Sequence, residues 1–188
     1  MRAVVALVLV LASGCLPKLP RQRLAERAKI AVGWVVDPAY SGAAFAPPDA
    51  LKQAMAKEFE DHNLEVVEVP VDVLAPQRLT DARFEVLKKA GQVSDAKFAM
   101  LVEQRVQFFS QIDGRYRWEV GTSLTASRID GPSAKDPFEI PVILMFDHER
   151  EKEAIVYAAT DVANRVGTLL DGVLAAPAPV PAVTPPAQ

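Results

Sequence analysis

The chain has 188 residues, enough for one domain with short appendages, and half of them are hydrophobic while about a quarter are charged. A net charge of -3 supplies neither the basic surface that nucleic acid binding needs nor a general attraction to anionic lipid. One cysteine excludes an intramolecular disulfide.

The N-terminus gives that cysteine a use. Met1 and Arg2 form a short positive region, followed by the unbroken apolar run AVVALVLVL from Ala3 to Leu11. The run is shorter than the roughly 20 residues that span a bilayer, and it fits a signal-peptide core of about 7–15 residues. Small residues Ala12, Ser13 and Gly14 lead into Cys15. This pattern resembles the bacterial lipobox, with its usual leucine one place early at Leu11. The resemblance implies cleavage after residue 14 and lipid attached to Cys15, a membrane anchor of several acyl chains. Leu16 follows the cysteine, a residue that favours the outer membrane in enteric bacteria. Residues 15–27 then read as an extended tether, with Lys18, Arg21, Arg23 and Arg27 either touching lipid head groups or simply solvated.

Lys29 to Asp37, KIAVGWVVD, is expected as the first strand, and its apolar residues on both faces place it inside a sheet. Pro38 to Pro48 is a loop whose large side chains are Tyr40 and Phe45. Asp49 to Asn63 has the four-residue spacing of an amphipathic helix at Leu51, Met55 and Phe59. Leu64 to Val73 reads as a second strand, with Pro70 marking an edge or an end. Thr80 to Ala90 is a short helix, with Thr80 as N-cap and Gly91 as C-cap.

The next segment alternates: Phe98, Met100, Val102, Val106 and Phe108 take one face, with Gln104 the exception. After Asp113-Gly114 a partner strand alternates through Trp118, Val120, Leu124 and Ala126. A simple two-residue turn pairs Phe108 with Glu119 and sets apolar against polar. A three-residue loop with Gly114 left-handed pairs Phe108 with Trp118 and Gln104 with Thr122, so that register is the expected one. Phe138 to Phe146 is a further strand, with Pro141 hinting at an edge. A last helix follows, capped by Asp147, with Ile155, Ala159, Val162, Val166, Leu169 and Val173 on one stripe. Residues 176–188 form a proline–alanine tail, expected to be extended and disordered.

The predicted fold is therefore α+β: a mixed sheet of about five strands in the order β-α-β-α-β-β-β-α, with helices packed on it over residues 28–175. The opening strand after a lipidated cysteine, the helix ending in glycine before Ala96-Lys97-Phe98-Ala99-Met100-Leu101-Val102, and the strand ending Arg128-Ile129-Asp130-Gly131 resemble the anticodon-binding-domain-like envelope proteins: the TolB N-terminal domain, CsgG-type lipoproteins and LpoB-type activators. An LptE-like assembly lipoprotein is a rival resemblance, against which the helix Thr80 to Ala90 counts.

The sequence offers little for catalysis. His62 and His148 lack metal-ligand spacing and read as surface residues at helix ends. The carboxylates Glu58, Glu60 and Asp61, and Asp147, Glu149, Glu151 and Glu153, read as solvated helix ends, although a carboxylate pair could serve a wall hydrolase. No catalytic residue, cofactor or metal is expected. Tyr40 and Phe45 are partner-contact residues unless they fold back on the sheet, and Phe109 is a second contact on the polar face of the hairpin. The functional expectation is an outer-membrane, periplasm-facing adaptor or assembly factor that binds an unidentified envelope protein. The alternative is a homo-oligomeric subunit of a ring or pore, although Glu103, Arg105, Arg117 and Glu119 on the outward face of the hairpin speak against insertion in lipid.

Overall fold

The computed structural model describes residues 21–38, 47–145 and 151–176. Within them lie β1 (Ala28–Pro38), α1 (Asp49–Asp61), β2 (Leu64–Val69), α2 (Val71–Leu74), α3 (Thr80–Val93), β3 (Phe98–Ile112), β4 (Arg115–Arg128), β5 (Ala134–Leu144) and α4 (Glu151–Ala175). The strands form one mixed sheet in the order β2-β1-β3-β4-β5. β1 is interior and pairs in parallel with β2 and β3, while β3, β4 and β5 form an antiparallel meander. The strands marked by proline, β2 beside Pro70 and β5 with Pro137 and Pro141, are the two edges.

Topology decides where the helices go. The crossovers β1-α1-β2 and β2-α2-α3-β3 run in opposite directions along the sheet, so a common right hand puts their helices on opposite faces. α1 and α4 cover the first face through Leu51, Met55, Phe59, Ile155, Val162, Val166 and Leu170, over Val32, Trp34, Met100, Val120 and Leu124. α2 and α3 cover the second face only over β1 and the start of β3, through Leu74, Phe84 and Leu87 on Ala31, Val35, Ala99 and Leu101. The burial of β3 records the boundary: residues 98–102 are buried without a break, and beyond Glu103 every second residue on the second face opens to solvent.

Three elements depart locally from expectation. Strand β2 stops at Val69 rather than Val73: Pro70 ends it, as one of its two expected roles, and caps the one-turn helix α2. Helix α3 runs on to Val93; Leu79 rather than Thr80 is its N-cap, and Gly91 lies inside it, where a Cβ would stand 3.0 Å from Ala31 and from Ile129. β5 begins at Ala134, four residues before Phe138. Phe146 and Asp147 lie outside the described residues.

The hairpin between β3 and β4 has the expected pairs, Phe108 with Trp118, Val106 with Val120 and Gln104 with Thr122, but a different loop. Ile112 pairs with Arg115, so the loop is only Asp113 and Gly114, both at positive φ as a type I′ turn requires. The residue that the longer loop was expected to absorb is instead a β-bulge at Phe109. Phe108 packs edge-on to Trp118 at 5.5 Å between ring centres, and buried Gln104 donates to Thr122 Oγ1 at 3.4 Å.

Leu74, fully buried, anchors the single turn of α2 over the bare backbone of Gly33, where a Cβ would come within 2.5 Å of its Cδ1. Gly33→Ala is expected to destabilise the protein by about 1–3 kcal/mol through overpacking. Trimming the opposing side chain with Leu74→Val should recover part of that loss in denaturant titrations.

Candidate protein-docking surface and the docked tether

Among the described residues, nothing covers the second face of β3, β4 and β5 beyond the boundary set by α3. Arg83 of α3 fixes that boundary. It is nearly buried, donates from Nε to the Gln77 carbonyl at 2.6 Å and from a terminal nitrogen to Glu103 at 2.7 Å, and lies 3.7 Å from Asp37. Next to it a groove of about 590 Å³ runs over Glu103, Arg105, Gly121 and Glu139. Gly121 leaves its floor as bare backbone, with the Arg105 carbonyl 3.6 Å from where a Cβ would be.

Towards the hairpin tip the same face turns apolar. The bulge sends Phe109 outward, 71% exposed, to a notch of about 370 Å³ shared with Arg117, Glu119, Pro141 and Ile143, and Ile143 is 52% exposed. A bulge re-aims a side chain without disturbing the core face, and here it leaves Phe108 packed while presenting Phe109. Pro137 and Pro141 remove N–H donors from edge strand β5, and proline is tolerated only where the nitrogen faces away from the ladder. The β5 edge is therefore blunted against strand addition, and the face beside it is a candidate binding surface.

At the opposite end the tether is not free. Arg21 bridges Glu58 of α1 at 2.9 Å and Asp171 of α4 at 3.0 Å. The Gln22 N–H donates to Asp171 at 2.7 Å, the Leu24 N–H to the His62 carbonyl at 3.2 Å, and the Asn63 side chain to the Leu24 carbonyl at 3.1 Å. The segment is a strap across the ends of two helices. Glu58 and His62, expected as solvated residues, are buried by it: His62 is fully enclosed, with Nδ1 2.5 Å from the Glu58 carbonyl and Nε2 3.1 Å from Asp171. Burial pushes the Asp171 carboxyl up, but the Gln22 N–H, the Arg21 guanidinium and the His62 ring outweigh it and hold the carboxyl below its usual range.

Gly167 makes room for this cluster, since a Cβ there would fall 2.2 Å from Glu58 Oε2 and 2.4 Å from an Arg21 nitrogen. A glycine inside a helix that otherwise packs well costs about 1 kcal/mol against alanine, and that cost was the available sequence signal of a close approach. Arg21, Asp171 and Arg83 carried no such signal, because their partners are remote in sequence.

Cys15, Tyr40, Phe45 and His148 lie outside the described residues, so Phe109 is the contact residue whose surroundings are seen. Among the described residues no group of three or more His, Cys, Asp or Glu is arranged to hold a metal, and no helix is long and apolar enough to cross a membrane.

Two outcomes follow for the strap. Gly167→Ala should leave helix content unchanged yet displace Arg21, so limited trypsin should cut after Arg21, Arg23 and Arg27 several-fold faster than in the parent. Because the Asp171 carboxyl is held low, its contribution is present above the ordinary carboxylate value near 3.9 and is lost as pH falls below it. Thermal melts at pH 3 and pH 6 should therefore differ less in Asp171→Asn than in the parent.

No family model matches the chain, and no curated protein does. Several solved structures are similar to it at low identity. A PelC dodecamer from Paraburkholderia phytofirmans, in a leucine-to-methionine variant, is 14% identical, with a TM-score of 0.43 over 83% of this chain and 94% of that one. Lipoprotein GNA1162 from Neisseria meningitidis is 11% identical, with a TM-score of 0.45 over 75% of this chain and 99% of that one. The rare lipoprotein B from Shewanella oneidensis is 8% identical, with a TM-score of 0.36 over 74% and 94%. At these values the likeness is one of chain arrangement and extends to nothing that the neighbours do.

Proposed function

We propose that the chain is a non-enzymatic lipoprotein of the bacterial outer membrane, facing the periplasm, that acts as a structural subunit assembling through the open face of its sheet. The observation that carries this reading is the face of β3–β5 that no described residue covers, with Phe109 and Ile143 exposed beside a groove walled by charges of both signs. Exposed apolar side chains that adjoin one another on a sheet mark an interaction surface. Copies of the chain suit that surface: Arg105, Arg117, Glu119 and Glu139 mix the signs, and a net charge of only -3 lets copies approach without strong repulsion. Anchoring rests on the lipobox-like run before Cys15, in which residues 1–14 are the signal peptide.

The strap tightens the anchoring. From Cys15 to the fixed Arg21 an extended chain spans about 20 Å, so the strapped end of the domain is held close to the bilayer and β3 leads away from it. The hairpin is not a lipid-facing element, because Glu103, pinned by Arg83, and Arg105 and Glu119 stand on its open face.

A second reading is an adaptor that docks a different envelope protein on the same face. The groove favours it, being polar and fixed at one wall by the Arg83–Glu103 pair, as a specific binding surface would be.

The native mass of the full, detergent-solubilised protein separates the two. A closed multimer supports the structural subunit, and a monomer that co-purifies with a stoichiometric second protein supports the adaptor. Cys15→Ser should move the protein from the membrane pellet to the soluble fraction, and membrane retention without fatty acid would sink the anchoring.

A further inference from the structure

The strap, residues 21–27, belongs to neither a helix nor a strand. What it covers is almost wholly polar. Arg21 reaches Glu58 and Asp171, the Gln22 N–H reaches Asp171, the Leu24 N–H reaches the His62 carbonyl, and the Asn63 side chain reaches the Leu24 carbonyl. Leu24 is the strap residue that packs against the core, and it is only partly buried; Gln22, Arg23, Ala25, Glu26 and Arg27 are exposed. When such a segment lifts off, water takes over the carboxylates, the carbonyls and the N–H groups, and little apolar surface is uncovered. It therefore opens locally, for far less free energy than the whole fold.

Opening has a defined limit. Arg27 touches Glu65 at 3.8 Å, and both side chains are at least half exposed. At Ala28 the N–H donates to the Asn63 carbonyl, and β1 is then paired with β2 from Ala28 to Gly33 and with β3 from Ile30 to Pro38. A pull on the chain ahead of Arg21 loads the strap contacts one after another, whereas it loads the pairs of β1 together. The strap gives first and the sheet holds. Closing is specific, because the seat of the Arg21 guanidinium is prepared. Two helices that pack on the same core supply its carboxylates, Glu58 from α1 and Asp171 from α4, and Gly167 supplies the room.

We propose that the strap is a releasable latch that gives the domain two reaches from its anchor. The reaches rest on the anchoring reading; the latch rests on residues 21–28 and the two helices alone. Closed, the free chain from Cys15 to Arg21 spans at most about 20 Å; open, the free chain from Cys15 to Ala28 spans at most about 45 Å. Opening thus more than doubles the chain between anchor and domain. Arg21 is the pin of the latch. Its side chain and that of Asp171 are partly exposed, so salt screens their attraction and shifts the latch toward open.

Electron–electron double resonance on the full chain in membranes reads the latch directly. Spin labels at Arg23→Cys, in the strap, and at Val93→Cys, at the exposed end of α3, report a narrow distance when the strap is docked and a broad distribution when it is open. The narrow distance should dominate at low salt, and about one molecule in ten or more should show the broad one at about 0.5 M salt. Adding Arg21→Ala or Gly167→Ala should move most molecules to the broad distribution at either salt, with thermal melts checking that the sheet stays folded. A single narrow distance at both salts, or one that survives Arg21→Ala, would overturn the latch. A third spin label per chain, on Cys15 itself, would show a thiol free of lipid; that result overturns the anchoring reading and with it the two reaches.

Discussion

A five-stranded sheet has two faces to cover, and the described helices cover one and a half. The long helix α4 and α1 close the first face from end to end, and the short pair α2 and α3 reaches only β1 and the start of β3. That shortfall is the constraint on which the rest depends. It explains why the first half of β3 is apolar throughout and the second half alternates. It also explains why Arg83 is spent on an ion pair at the border, and why a bulge can deliver Phe109 to solvent without cost to the core beneath.

Much of this was legible in residue order. KIAVGWVV reads as a strand covered on both sides, and FAMLV followed by EQRVQF records where the cover of α3 runs out, because burial on both faces demands continuous apolar sequence and burial on one demands alternation. The pairing of Phe108 with Trp118 was legible for the same reason: only one register brings like faces together. The bulge was not, since a three-residue loop and a two-residue loop with a bulge give identical pairs over the body of the hairpin. They differ only in where Phe109 points, and turn geometry favours Asp-Gly at two left-handed positions.

The strap was hidden for a different reason. Arg21, Glu58, His62 and Asp171 lie far apart along the chain and meet only once α1 and α4 pack side by side. Composition alone makes Arg21 a tether cation and His62 a surface residue. Packing makes them the clasp that joins the segment before β1 to two helices. The clasp has a mechanical consequence: it fixes the segment before β1 at the end of the sheet opposite the β3–β4 hairpin, so the two lie a full strand length apart.

The central claim is that the open half of the sheet is covered by protein when the molecule is in place. The most direct measurement is the rate at which a maleimide labels Ile143→Cys in native membranes, compared with Val93→Cys, which lies 92% exposed at the end of α3. The account predicts labelling of Ile143→Cys at least ten-fold slower in membranes, rising to match Val93→Cys in a dissociating detergent. Equal rates in intact membranes would contradict it.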